Sequence, residues 1–181
     1  MATPDGQTLF DEEAVVSATA PSFVRYLADS SITPGEYVVR VSVRGAERST
    51  ADVVEQVRVT VPPPGPAAEA PPGDAVLHRS GPFTGRAFQP TADARFRRGE
   101  RLRVDVTVAG PAPTVSARLL DRKGQPLAVP VATAIRDEAY RRIASAELAV
   151  APLAFGDYLV EMSLQRGSRS DKVVVAVRIV P

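Results

Sequence analysis

The sequence predicts an all-β protein that contains two copies of one sandwich-type domain, the first of them N-terminally truncated. Three observations lead to this prediction: two segments that return in the same order, aliphatic residues at every second position, and glycine turns between them. A period of two is the side-chain period of a β-strand, so one face of each segment is expected to be buried.

The repeat has an offset of about 118 to 121 residues. Gly6-Gln7-Thr8-Leu9 returns as Gly124-Gln125-Pro126-Leu127, and Gly35-Glu36-Tyr37 returns as Gly156-Asp157-Tyr158. The aliphatic segment after each tyrosine also matches. The second copy has 82 residues (76–157) before its tyrosine and the first has 36, which predicts that the first copy lacks its opening strands.

The elements follow in chain order. Strands are predicted after Gly35, where Val39, Val41 and Val43 alternate with polar residues, and over 102–108, 159–164 and 173–179. Residues 136–150 are the only window in which a helix competes, and their alternation favours a strand. Glycine turns are predicted at Asp5-Gly6, Pro34-Gly35, Arg98-Gly99, Lys123-Gly124 and Arg166-Gly167.

Clustered prolines over 62–73 predict a semi-rigid extended spacer, because proline cannot donate ladder hydrogen bonds. The predicted organisation is a partial repeat over 1–62 with the last strands only, a linker over 63–75, and a complete repeat over 76–181. The complete repeat has about the hundred residues of an immunoglobulin-like or fibronectin III-like sandwich.

The repeated Gly-acid-Tyr segment predicts a tyrosine corner in each copy, at Tyr37 and Tyr158. In such a corner the tyrosine ring is buried and its hydroxyl bonds to a backbone group upstream, which fixes the crossover between sheets. Glu36 and Asp157 are then expected to be turn residues rather than catalytic acids.

The composition limits the partner classes. The 22 basic and 21 acidic residues give a net charge of +1, which provides no overall field for nucleic acid or an anionic membrane. The chain has no cysteine, which excludes disulfides and thiolate chemistry. We expect no nucleic-acid partner and no membrane span, and residues 1–10 lack the features of a signal peptide.

A cluster of five arginines within nine residues has two interpretations. The arginines surround a predicted Gly99 turn at a spacing of two, which favours the solvated face of a hairpin whose other face holds Phe96, Leu102 and Val104. The alternative is a ligand-binding sandwich in which this hairpin holds an anionic polymer or glycan. The arginines are Arg95, Arg97, Arg98, Arg101 and Arg103.

Other candidate residues favour no chemistry. The single histidine, His78, has no co-ligand of the kind that zinc prefers, and we expect it to be exposed. Asp11-Glu12-Glu13, Asp121 and Asp137-Glu138 do not follow a calcium-loop spacing and are expected to be loop charges, although a calcium site at a sandwich end stays open. We therefore predict no catalytic residue, no cofactor and no enzyme activity.

Three segments resemble the C-terminal tail of bacterial von Willebrand factor A-related proteins of the acidobacterial type: 96–104 (FRRGERLRV), 117–127 (ARLLDRKGQPL) and 151–158 (APLAFGDY). The resemblance covers about 83–181 well and 6–62 more loosely. It implies β-rich modules that follow a secretion signal and an A-type domain. The metal site of that domain does not carry over, because the nearest string, Asp29-Ser30-Ser31, leads into a turn and a strand.

The repeats and the resemblance together predict a non-catalytic structural or interaction module of a secreted or cell-envelope bacterial protein. It would space or present a von Willebrand A-type domain, or bind a protein partner, outside the cytoplasm. The truncated first copy also predicts an open sheet edge, and with it self-association, strand donation from a partner or local disorder.

Overall fold

The structure is a computed structural model that describes residues 1–11, 13, 32–44, 53–61, 63, 70–82, 84–138 and 141–181. Those residues form β-strands and connecting segments and contain no helix. The chain divides into two compact units. The first holds β1 (Gly35–Val43) and β2 (Val53–Val61), which pair with each other in an antiparallel ribbon.

The second unit holds the other nine strands of the described chain, in two sheets. They are β3 (Ala75–Gly81), β4 (Gly85–Thr91), β5 (Arg95–Arg97), β6 (Arg101–Val108), β7 (Thr114–Asp121), β8 (Ala132–Glu138), β9 (Arg141–Ala149), β10 (Gly156–Arg166) and β11 (Arg169–Val180). The five-stranded sheet has the order β4-β3-β6-β9-β8, and the four-stranded sheet has the order β5-β11-β10-β7. All neighbours are antiparallel except β5 and β11, which are parallel.

One hydrophobic core lies between the two sheets, in the arrangement of a β-sandwich. Alternate residues of β6, among them Leu102, Val104 and Val106, are fully buried in it from one side. Alternate residues of β10, among them Val160 and Met162, are fully buried from the other. Burying these side chains supplies the main driving force for folding of the second unit, about 0.8 kcal/mol per CH₂ group.

The all-β prediction is confirmed, and so are the predicted strands over 102–108, 159–164 and 173–179. Where residues 136–150 are described they form the end of β8 and the whole of β9, so the strand interpretation of that window is correct. Glu36 and Asp157 lie in strands rather than turns, and Asp137-Glu138 end a strand rather than a loop. Asp29-Ser30-Ser31 and residues 64–69 of the predicted linker fall outside the described residues.

The β1–β2 ribbon has the same register as the β10–β11 hairpin. Gly35 pairs with Val61 as Gly156 pairs with Ile179, and the pairs that follow match one for one along both ribbons. The two tyrosines of the sequence repeat therefore stand at the same step of equivalent strands, opposite Val59 and Val177.

A second local structure is repeated at the beginning of the chain. The amide of Thr3 donates to the carbonyl of Gln7 at 2.9 Å, as the amide of Asp121 donates to the carbonyl of Gln125 at 2.8 Å. Both turns contain a glycine with positive φ, 92° at Gly6 and 80° at Gly124, a region that glycine enters without steric cost.

These turns also attach to their ribbons in the same way. Ala2 bridges to Thr8 and to Val38, and Leu120 correspondingly bridges to Pro126 and pairs with Leu159. In the described part of the chain, residues 1–10 and 33–61 thus reproduce the hydrogen bonding of the end of β7, the turn after it, and β10–β11.

Candidate functional site

The five arginines of the predicted hairpin lie on two different sheets. Arg95 and Arg97 belong to β5, which pairs with β11, whereas Arg101 and Arg103 belong to β6, which pairs with β3 and β9. The turn between these strands is therefore a crossover between sheets rather than a hairpin. Because Phe96 and Leu102 both point into the core, the arginine pairs beside them face opposite sides of the sandwich.

Several of these arginines also have acceptors within the fold. Arg95 donates to Asp93 at 2.9 Å, and this hydrogen bond holds the pKa of the Asp93 carboxyl below its ordinary value. Arg98 donates to the carbonyl of Ala151 at 2.9 Å, and Arg101 forms an ion pair with Glu147. An anion that approached one face of the sandwich would meet only some of the five arginines. The acidic and carbonyl partners of these arginines partly neutralise their charges. The anion-binding patch stays a prediction.

A buried polar cluster lies on the face of the five-stranded sheet that points away from the core. Its centre is Asp105, which is 4% exposed and accepts a hydrogen bond from the Ser145 hydroxyl at 2.8 Å. Arg136 donates to Asp105 at 2.9 Å and to Ser145 at 2.7 Å. Arg103 lies 3.2 Å from the same carboxylate and stacks over Phe88, with its guanidinium carbon 4.5 Å from the ring centroid.

His78 joins this cluster, so the expectation that it is exposed is wrong. Its side chain is 9% exposed, and its Nδ1 lies 3.6 Å from Asp105 without a hydrogen bond. Loss of hydration lowers the pKa of His78, and the nearby Arg103 and Arg136 lower it further, while Asp105 opposes them. His78 is therefore favoured in its neutral form.

The connectivity of the cluster differs from that of a nucleophilic triad. In a triad the serine donates to histidine and the histidine donates to the carboxylate. Here the Ser145 hydroxyl donates directly to Asp105. The same carboxylate also accepts a hydrogen bond from Arg136 and lies beside Arg103. Two guanidinium groups thus compensate the buried carboxylate, so that its charge is not left unpaired on the sheet.

The two tyrosines make the same backbone bond. The hydroxyl of Tyr37 donates to the carbonyl of Thr33 at 2.6 Å, and that of Tyr158 donates to the carbonyl of Ala154 at 3.0 Å. Each acceptor lies four residues before its tyrosine. This is the hydroxyl-to-upstream-backbone bond that a tyrosine corner requires.

The β1–β2 ribbon has an apolar face that is open to solvent. Val41, Val43, Val53 and Val57 share one face with Tyr37 and are 49–66% exposed, although Tyr37 itself is 4% exposed. The equivalent positions Met162 and Leu164 of β10 are fully buried in the core of the second unit.

One edge of β1 is open as well. In the second unit β7 pairs with β10 from Tyr158 to Gln165. Among the described residues, the corresponding edge of β1 is paired only at Val38, by Ala2. Within the described ranges, the peptide groups of Arg40 and Ser42 on this edge therefore have no partner strand. An unpaired strand edge is the feature that can accept an additional strand.

The second unit carries two shallow depressions on the outer face of the four-stranded sheet. One, of about 320 Å³, is lined by Arg118, Glu161 and Lys172, and Glu161 forms ion pairs with both basic residues. The other, of about 410 Å³, is bordered by Arg95, Arg122 and Arg178 around Leu159 and Ala176. Both are exposed surface features rather than enclosed sites.

Within the described ranges, no group of three or more histidine or acidic residues is placed to hold a metal ion. No helix of the described chain is long and apolar enough to cross a membrane. In comparisons with known proteins, no protein-family model and no curated protein matches this chain. The resemblance to von Willebrand factor A-related tails stays a prediction.

Sequence reasoning missed the Asp105 cluster, and it expected an open sheet edge in the first copy without placing it at Arg40. A signal for the first exists in the sequence, because Asp105 places a carboxylate on the polar face of a strand whose other face is aliphatic. A signal for the second is the mismatch between Arg40 and Glu161, which occupy the same position of the repeat with opposite charges.

Proposed function

We propose that this chain is a non-catalytic structural and interaction module of a secreted or cell-envelope bacterial protein. It consists of a partial and a complete immunoglobulin-like sandwich, and it spaces or presents a von Willebrand A-type domain or binds a protein partner. The observation that supports the proposal is the hydrogen-bonding pattern that the described parts of residues 1–61 share with residues 119–179. Tandem copies of a small sandwich are an economical way to build a spacer.

The strand order of the second unit supports the immunoglobulin-like assignment. Its β3-β6-β9-β8 and β11-β10-β7 orders match the A-B-E-D and G-F-C sheets of that fold. The hydroxyl bond of Tyr158 lies at the beginning of β10, the strand that corresponds to F in this comparison. A tyrosine corner is expected at that place in the immunoglobulin fold.

The association with an A-type domain rests on the sequence resemblance of 96–104, 117–127 and 151–158. Its test is the genomic reading frame around this chain together with the mass of the native protein. We expect the frame to encode a secretion signal and a von Willebrand A-type domain, and the native mass to exceed that of these 181 residues. A native protein of these 181 residues alone, recovered from the cytoplasm, would contradict the proposal.

A further inference from the structure

We infer that the outer face of the four-stranded sheet binds an extended acidic segment of a partner protein, with two carboxylates four residues apart and an apolar residue between them. The inference rests on the proposed interaction role and adds to it the chemistry of the partner. The surface belongs wholly to the second unit, where β5, β11, β10 and β7 are all described and paired.

The first argument is an apolar band across the middle of this face. Leu159 lies opposite Ala176, and Val174 lies two residues further along β11. Their strand neighbours Val160 and Val177 are buried in the core, so the side chains of the band point outwards. Val174 is 53% exposed. An apolar centre with a charged border is the usual composition of a protein–protein interface.

A ribbon of this register does not require the band. In the β1–β2 ribbon, Gln56 and Arg58 stand at the positions that Val174 and Ala176 take in β11. The position between them, which faces the other side of the strand, is valine in both ribbons. The apolar outward residues are therefore a property of the second unit, and they point to a role on its surface.

The second argument is a set of arginines held in place around the band. Three arginine side chains on this face are 53–68% exposed: Arg95, Arg118 and Arg178. Each binds one carboxylate through its Nε and Nη2 atoms, at 2.6–3.2 Å, and the carboxylates belong to Asp93, Glu161 and Asp157. In the described part of the chain their Nη1 atoms make no hydrogen bond. Because these guanidinium groups are already fixed, a partner carboxylate binds them at a small cost in side-chain entropy.

The third argument is the sign of the charge. Residues 70–181 contain 17 basic and 11 acidic residues, so their net charge is +6. On the outer face Glu161 is shared by Arg118 and Lys172, at 2.7 and 3.5 Å. Arg122 borders the same face and makes no ion pair with any residue that the structure describes. The cations of this face therefore exceed its carboxylates, which favours an acidic partner.

The two shallow depressions of this face determine the spacing of the partner's acids. The depression of about 410 Å³ is bordered by Leu159 and Ala176, and that of about 320 Å³ by Ser163 and Lys172. These two cross-strand pairs are four residues apart along the strands, roughly 14 Å at about 3.4 Å per residue. An extended segment with acids at positions i and i+4 spans the same distance. Its residue i+2 then lies over the apolar band.

A protein segment fits this face better than a nucleic acid or a sulfated glycan does. Bases and sugars bind on exposed aromatic rings. Within the described ranges, Tyr158 is the one aromatic residue that lines either depression, and it packs against the core instead. The band itself consists of aliphatic side chains.

The test is a chemical-shift titration of the intact, isotope-labelled protein with three peptides that carry blocked termini. ETVTE has the inferred pattern, TEVET has the same composition with its glutamates two residues apart, and KTVTK has the opposite charge. We expect ETVTE to shift the amides of Leu159, Val174 and Ala176. It should bind about two- to tenfold more tightly than TEVET, which loses charge contacts with the two depressions, and KTVTK should not bind.

Substitutions then locate the binding face. Arg118→Gln and Arg178→Gln should each weaken the binding of ETVTE about two- to fivefold, the effect of one exposed charge contact. Arg101→Gln is the matched control, because Arg101 is 55% exposed and pairs with Glu147 on the outer face of the other sheet. Its substitution should leave the binding of ETVTE unchanged. The amide spectrum of each variant shows that it is folded.

Four outcomes would overturn the inference. They are no shifts on this face with ETVTE, equal binding of the three peptides, equal weakening by Arg101→Gln, and shifts of the same amides that depend on protein concentration without peptide. The last result would identify a second copy as the occupant. Binding of dextran sulfate to this face in the absence of ETVTE binding would identify an anionic glycan and would also overturn it.

The genomic reading frame keeps this inference separate from the proposed function. If the frame encodes the secretion signal and the A-type domain while ETVTE does not bind, only the acidic-partner inference fails.

Discussion

Tyr37 stands in β1 where Tyr158 stands in β10, and each donates its hydroxyl to the carbonyl four residues upstream. The surroundings differ, because the β-strand residues beyond Tyr158 are buried against a second sheet and those beyond Tyr37 are largely exposed. The same local hydrogen bonding thus recurs in a complete sandwich and in an open ribbon.

Loss of the tyrosine bonds should weaken both units. We expect Tyr37→Phe and Tyr158→Phe each to cost about 0.5–1.5 kcal/mol, the usual net value of one hydrogen bond. Hydrogen exchange in β1 and β10 measures the two effects separately in the intact chain. Phe155→Leu is the control, since Phe155 is 58% exposed and its substitution should change stability by less than about 0.5 kcal/mol. Equal stability of Tyr158→Phe and the unchanged protein would remove the structural role of that bond.

Gly81 should not tolerate a side chain. A Cβ atom there would lie 2.9 Å from Cγ and 3.3 Å from Cα of Glu100, a buried residue that also accepts the Arg97 amide. We expect Gly81→Ala to destabilise the second unit by about 1–3 kcal/mol through overpacking. Gly99→Ala is the matched control, because its nearest neighbour, Pro82, is 3.9 Å away. Urea unfolding of both variants gives the comparison, and similar midpoints would contradict the steric argument.

Asp105 should matter more than Ser145. Asp105→Asn leaves Arg103 and Arg136 beside a neutral group and should cost about 1.5–3 kcal/mol, the range for hydrogen bonds to charged groups. Ser145→Ala removes one hydroxyl bond and should cost about 1 kcal/mol. Chemical denaturation at neutral pH measures both, and the reverse order of effects would show that Asp105 is not the centre of the cluster.

His78 should make the stability of the second unit depend on pH. Its folded pKa lies below the ordinary value of about 6.5, so the unfolded chain binds a proton that the folded chain resists. The free energy of unfolding should therefore rise with pH from the folded pKa up to about 6.5 and then level off. The Asp93, Asp157 and Asp171 carboxyls have lowered pKa values. Their contribution to the free energy of unfolding is lost only below about pH 4.

The matched variant for this experiment is His78→Gln, which removes the titrating group. Urea midpoints between pH 5 and 8 should slope less in His78→Gln than in the unchanged protein. Parallel slopes would assign the pH dependence to other groups.

The sequence is informative where the fold depends on local periodicity. Alternating aliphatic residues predict β6, β10 and β11, and the Gly-acid-Tyr segment predicts a hydroxyl-to-backbone bond at Tyr158 that the structure contains. Each of these features is determined by residues that are close to one another in the sequence.

The sequence is less informative where the fold depends on which strands pair. A short connection at Gly99 fits a hairpin and a crossover equally well, and only the pairing of β5 with β11 separates Arg95 from Arg101. The burial of His78 likewise depends on strand pairing. His78 lies on β3, and its neighbour Asp105 lies on the adjacent strand β6. Long-range pairing of this kind leaves no trace in a local period of two.

The most direct test of the relation between the two units is a cross-strand nuclear Overhauser spectrum of the intact, isotope-labelled protein. We predict backbone contacts between Ala2 and Val38 and between Gly35 and Val61, together with the equivalent contacts of Leu120 with Leu159 and Gly156 with Ile179. The second set is the internal standard, since it lies in the complete sandwich. If the second set is observed and the first set is absent, residues 1–61 do not repeat the architecture of 119–179, and the central claim is wrong.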